Sequence, residues 1–170
     1  MRNVTIIAVL FSASLATAAA SFDVPKRKSG LWEIKVTHGE GPGAPQTIQK
    51  CIDENTDDFI GNNRRDINRS CSKAILRKEG DKIVAESVCK VDKSTVTSRE
   101  VVTGRFNSAY RIDIKSTYEP PFDGIKESTT TMDAKWLGAC KPGQKAGDIF
   151  EPGLPTINVN DRTKNMPNKP

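Results

Sequence analysis

The residues best suited to chemistry in this 170-residue chain are its four cysteines, at positions 51, 71, 89 and 140. An even number of thiols in an exported chain favours disulfides, and four cysteines allow three pairings. A turn chooses between them. Lys78-Glu79-Gly80-Asp81 separates two β-type runs, Cys71 to Arg77 and Lys82 to Val91. A hairpin centred on Gly80 sets Cys89 opposite residue 70, 71 or 72, against or beside Cys71. Cross-strand neighbours sit about 4.5 to 5.5 Å apart, inside the roughly 7 Å that a bridge tolerates. The expected pairs are therefore Cys71 with Cys89 and, by elimination, Cys51 with Cys140. The second closes a long loop, for which the chain-entropy account gives roughly 4 kcal/mol of stabilisation. A thioredoxin-type site needs a C-x-x-C that the sequence lacks. Structural zinc brings its ligands in close pairs, whereas the cysteine spacings here are 20, 18 and 51.

Other chemistry finds less support. His38 is the sole histidine, at the end of an alternating run beside a glycine-rich turn, where exposure is expected. One imidazole builds neither a multi-histidine metal site nor, with the thiols bridged, a Cys-His pair. No G-x-S-x-G, H-E-x-x-H or glycine-rich phosphate loop occurs. Asp53, Asn55 and Asp57 begin like a calcium loop, but Asp58 stands where glycine is needed and Arg64 where a bidentate glutamate belongs. An acidic helix start is the better reading. Asn68-Arg69-Ser70 is a formal glycosylation sequon. Trp32, Trp136, Tyr110 and Phe106 are aromatic enough for a ligand site, but strand aromatics chiefly supply core. No catalytic, cofactor-binding or metal residue is assigned, no cofactor is expected, and an activity without catalysis is the expectation.

The elements that position these residues are mostly strands. In Gly30 to His38, Trp32, Ile34 and Val36 alternate with Glu33, Lys35 and Thr37, the period of a half-buried strand. Thr47 to Cys51 returns. Asp53 to Asn62 is the single expected helix, capped by Asp53 and ended by Gly61. A meander follows over Cys71–Arg77, Lys82–Val91, Thr95–Thr103, Ala109–Tyr118, broken by Pro120-Pro121, and Lys126–Ala134. The expected fold class is mainly β, an antiparallel meander sheet, strongly curved or barrel-like, with one short helix. From Lys141 proline and glycine crowd the chain. There Ile149-Phe150 and Ile157 to Val159 can tack an otherwise extended or disordered tail to the sheet.

Compartment comes from the first twenty residues. Arg2, the apolar stretch Val4 to Leu15 and the small residues Ala16 to Ala20 make a secretory signal cleaved near Ala18 to Ala20. The apolar stretch is too short for a membrane span, which takes about twenty residues. The expected organisation is a signal at 1–20, a disulfide-stapled β domain at 21–140 and a Pro/Gly-rich tail at 141–170. After cleavage 25 Lys and Arg stand against 21 Asp and Glu. Lys26-Arg27-Lys28 and Arg64-Arg65 are short runs that read as solvated surface, so nucleic acid is not an expected partner.

Gly30-Leu31-Trp32-Glu33, a cysteine some twenty residues on, and Met132 followed by Trp136-Leu137-Gly138-Ala139-Cys140 together resemble the domain of unknown function 3617 family. That resemblance covers about residues 28 to 140 and implies a small exported protein of the Gram-negative periplasm, with no activity, cofactor or site residue to carry over. Three functions remain open. The first is non-catalytic binding of a lipid or other apolar or amphipathic envelope molecule in the concave face. The threonines 129 to 131, Ala85 and Ala134 would leave room for it there. The second is a structural or protein-interaction role in the envelope through a sheet edge or the tail. The third is an enzyme running on carboxylates, Tyr or Lys.

Overall fold

Alternation of apolar and polar residues favours strands, and the computed structural model, which describes residues 24–39, 43–57 and 70–161, is mainly β over them. The export segment, the Arg64-Arg65 pair and the sequon asparagine lie outside the described residues. Nine strands form: β1 (Gly30–His38), β2 (Gln46–Ile52), β3 (Cys71–Glu79), β4 (Lys82–Val91), β5 (Ser94–Arg105), β6 (Ala109–Phe122), β7 (Ile125–Gly138), β8 (Asp148–Phe150) and β9 (Ile157–Asn158). They pair antiparallel in one sheet of order β3-β4-β5-β6-β7-β1-β2-β8-β9.

The meander from β3 to β7 follows from its turns. Gly80 takes a φ of 63° in the β3–β4 loop, and Asp123-Gly124 closes β6–β7 with φ of 47° and 83°. Two successive left-handed residues are what a tight hairpin with the sheet's natural twist requires. β1 then docks on β7, returning the first strand to the end of the meander. Because β3 and β9 both remain edges, the sheet is open and the closed barrel does not form among the described residues.

Two other expectations change, and the expected attachment of the tail is seen. Asp53 to Asp57, the described part of the expected helix, forms a turn instead, while residues 58–62 fall outside the description. Asp53 accepts from the Thr56 amide and hydroxyl and the Asn55 amide, and its own amide donates to Thr56 Oγ1. These reciprocal bonds have the form of a capping box, and the Asp57 amide reaches the Asp53 carbonyl at 2.9 Å, so the described residues hold a single capped turn. Pro120-Pro121 does not end β6, which runs on to Phe122. The β6–β7 ladder is interrupted between Thr117 and Phe122, so no amide is needed where the prolines sit. Beyond Cys140, Ile149 pairs with both Lys50 and Ile157, carrying the sheet two strands further.

One face of the sheet, called inner here, carries the core. Trp32, Ile34 and Val36 of β1 pack with Ile52, Ile83, Val102, Tyr110 and Ala134. Trp32 is wholly buried, its ring 5.3 Å from that of Tyr110, which in turn stacks on Phe106 at 5.5 Å. The opposite, outer face is charged over most of its area. A smaller buried patch of Leu31 and Cys51 lies there, beside the chain returning from Cys140, where the Gly147 amide donates to the Cys51 carbonyl at 2.8 Å.

Candidate functional site on the inner face

Side chains on the inner face stand in register rows across the strands, since every second residue of each strand points the same way. Past Trp32 the first full row is apolar: Val36, Met132, Ile112, Val102 and Ile83, on β1, β7, β6, β5 and β4. The next holds His38, Thr130, Ile114, Glu100 and Ala85 on the same strands. A third is made of serines, with Ser128, Ser116, Ser98 and Ser87 directly opposite one another on β7, β6, β5 and β4. The hydroxyls of Ser98 and Ser116 lie 2.8 Å apart, and Tyr118 reaches Ser128 at 3.0 Å. The face thus grades from a sealed aromatic end to a hydroxyl-lined one. Its middle residues Ile112, Ile114, Met132 and Glu100 remain half-buried.

Glu100 is the odd member. β4 presents Ile83, Ala85 and Ser87 to it, and β6 presents Ile112, Ile114 and Ser116. Its carboxylate makes no ion pair or side-chain hydrogen bond among the described residues. Desolvation by its surroundings raises its pKa above the usual carboxylate range. The period-two phase of Val96, Ser98, Glu100 and Val102 marks it in the sequence, as a carboxylate in the apolar phase of a strand.

Several outer-face carboxylates are paired, by contrast. Glu86 accepts from Arg77 at 2.9 Å and from Arg99, and Arg77 holds its pKa down to about 2. Arg111 binds Asp113 at 3.0 Å and Asp133 at 3.1 Å. A shallow outer cavity of about 660 Å³ lies over Gly104 and Ala109 between Lys35, Arg111 and Lys135, where Arg111 is already engaged by those two aspartates.

The residues singled out by type are dispersed. Sulfur bridges join Cys51 to Cys140 and Cys71 to Cys89. A uniform hairpin register would set Cys89 opposite Ser72, and an irregularity between Cys71 and Lys73 delivers Cys71 instead. Of the threonine run only Thr130 faces inward, where it meets His38 Nδ1 at 3.2 Å. His38 is therefore half-buried rather than exposed. Asp57 is no calcium ligand in waiting, because its carboxylate binds Arg27 Nε at 2.7 Å with both side chains almost fully buried. Arg27, in a run that reads as solvated surface, also donates to the Tyr110 hydroxyl at 2.9 Å. Burial raises the Tyr110 pKa, partly countered by Arg27.

The two terminal motifs meet in space. Trp32 pairs with Trp136 and Leu31 with Gly138. The Trp32 and Trp136 indoles donate to the carbonyls of Lys28 and Ser29, and the Lys28 ammonium sits 3.5 Å over the Trp136 ring. A Cβ on Gly30 would fall 2.2 Å from the Gly138 carbonyl oxygen, and Gly30 itself holds a φ of 131°. The motif residues build a structural joint. A family model described as a protein of unknown function (DUF3617) matches residues 27–140, from the buried Arg27 to the bridged Cys140. No curated protein and no solved structure matches the chain. With that match over most of its length and its motifs forming one joint, the chain belongs to the DUF3617 family.

Proposed function

We propose that the protein is a non-catalytic binding protein of the periplasm, taking an apolar or amphipathic envelope molecule on the inner face of a curved sheet. The observation that carries this reading is the half-burial of Ile112, Ile114 and Met132 between the buried core around Trp32 and the serine row. Apolar side chains left partly uncovered between a closed core and a hydroxyl row form a surface on which a chain-like molecule gains burial. The two disulfides suit an oxidising compartment, and the leader pattern of charge, apolar stretch and small residues suits export. Native mass spectrometry of protein purified from its own host tests the reading. A co-purifying small molecule is expected, and a clean unliganded mass under gentle ionisation overturns it.

One observation favours a second reading, a protein-interaction role. Among the described residues β3 is a nine-residue edge strand paired on one side, with Ile75 43% exposed, and such an edge accepts an added strand. Proline at Ala74 would block strand addition, so pull-down partners unchanged by Ala74→Pro count against it.

A further inference from the structure

We infer that the ligand of the inner face is a single-chain amphiphile with a protonated primary amine, its ammonium held by Glu100 and its chain laid on Ile112, Ile114 and Met132. This rests on the inner-face reading above and names the headgroup. Glu100 is set between Ala85 and Ile114 in register, with aliphatic residues one row to one side and serines one row to the other. A lone carboxylate in such a place costs stability unless a cation joins it. Proteins keep a residue that breaks the local pattern chiefly where function needs it. On β1, β7, β6, β5 and β4 its row and the two flanking rows hold no second carboxylate and no lysine or arginine, and Lys78 stands at the β3 end of one flanking row, opposite Ile83. Glu100 is therefore a fixed negative charge with no ion pair among the described residues.

The surroundings decide which cation. Calcium takes six to eight oxygen ligands and magnesium a near-octahedral shell, which one carboxylate among hydroxyls and methyl groups does not supply. An ammonium has three donors, and Glu100 with the hydroxyls of Ser98 and Ser87 offers acceptors in two adjacent rows. The apolar row of Ile112 and Met132 lies on the far side of Glu100 from the serines. Charge and chain of one molecule are thereby matched in order, with the headgroup toward the hydroxyls and the tail toward the core.

The test is titration calorimetry of the intact mature protein and of Glu100→Gln with dodecylamine, dodecyl maltoside and dodecanoate, all below micelle formation. On the wild type dodecylamine is expected to bind at least roughly tenfold tighter than the maltoside, as one charged hydrogen-bonded contact supplies. Glu100→Gln removes that preference and leaves the maltoside unchanged. A wild-type preference that survives Glu100→Gln, or no preference at all, overturns the headgroup assignment while the inner-face reading stands. If none of the three binds, the inner-face reading itself fails. Should the variant fold poorly, a pH series on the wild type decides. The amine preference must fade by about pH 4, where dodecylamine stays charged and carboxylates protonate. Neither β4 nor β6 sets a titrating group against Glu100. Basic groups elsewhere on this face include His38, three strands away on its row, Lys78, at the β3 edge opposite Ile83, Lys50, opposite Trp32 on β2, and Lys126, two residues from Ser128 on β7. A preference constant from pH 4 to 8 overturns the assignment.

Discussion

Glu100 and Glu86 occupy neighbouring strands and titrate in opposite directions, so the protein's acid response divides between them. Desolvation raises the Glu100 pKa in the fold. Between the ordinary glutamate value and the raised one, the folded state holds more protons than the unfolded chain, and stability falls as pH rises. Glu100→Gln therefore raises the melting temperature at pH 7, and the gain vanishes below the ordinary glutamate range. Melts from pH 3.5 to 8 read this out, and equal melting temperatures at pH 7 would contradict it. Glu86, held down to about 2 by Arg77 and then Arg99, stabilises above the ordinary glutamate pKa and loses that contribution as pH falls toward 2. Glu86→Gln should thus lower the melting temperature at pH 7 and leave it unchanged near pH 2. Asp57→Asn removes the buried carboxylate that Arg27 Nε binds at 2.7 Å and should cost about 3 to 5 kcal/mol by denaturant titration. A cost under about 1 kcal/mol would mean that water reaches Arg27. Residue type alone does not distinguish Arg27 from its neighbours Lys26 and Lys28, because its burial depends on Asp57 and Tyr110, far away in sequence.

At the scale of elements, the strands were legible wherever alternation was strict. β1 spans Gly30–His38 and β4 Lys82–Val91, the bounds that period two and the Gly80 turn give. β6 was not, because proline forbids a strand only where its missing N–H is needed, and the interrupted ladder to β7 removes that need. The start of β1 is held by the contact of Gly30 with Gly138. Gly30→Ala demands a left-handed backbone and a collision with that carbonyl, so it should destabilise by about 2 kcal/mol or more. Gly80→Ala, with a left-handed φ but open space around it, should cost about 1 kcal/mol. Equal chemical denaturation midpoints for the two variants would refute this account of the joint.

At the scale of the molecule, the Cys51–Cys140 bridge spans 89 residues and ties β2 to the chain leaving β7, with Cα atoms 5.6 Å apart. Removing it as the double variant Cys51→Ala with Cys140→Ala should cost roughly 4 kcal/mol on the chain-entropy account. Hydrogen exchange at the Gly147 amide should also accelerate, since that amide is bonded to the Cys51 carbonyl. Unchanged exchange there would show that β8 docks on β2 without help from the bridge.

Local patterning determined the strands, their turns and, through the Gly80 hairpin, the choice of Cys71 for Cys89. Each of these depends on residues within about twenty positions of one another. The return of β1 onto β7, the burial of Arg27 against Asp57 and the open edges at β3 and β9 were decided by tertiary structure. So was the isolation of Glu100. A register row sums contributions from five strands, and no window of sequence contains it. Period two shows that Glu100 faces inward, but only the pairing of β4, β5 and β6 shows that nothing charged faces it.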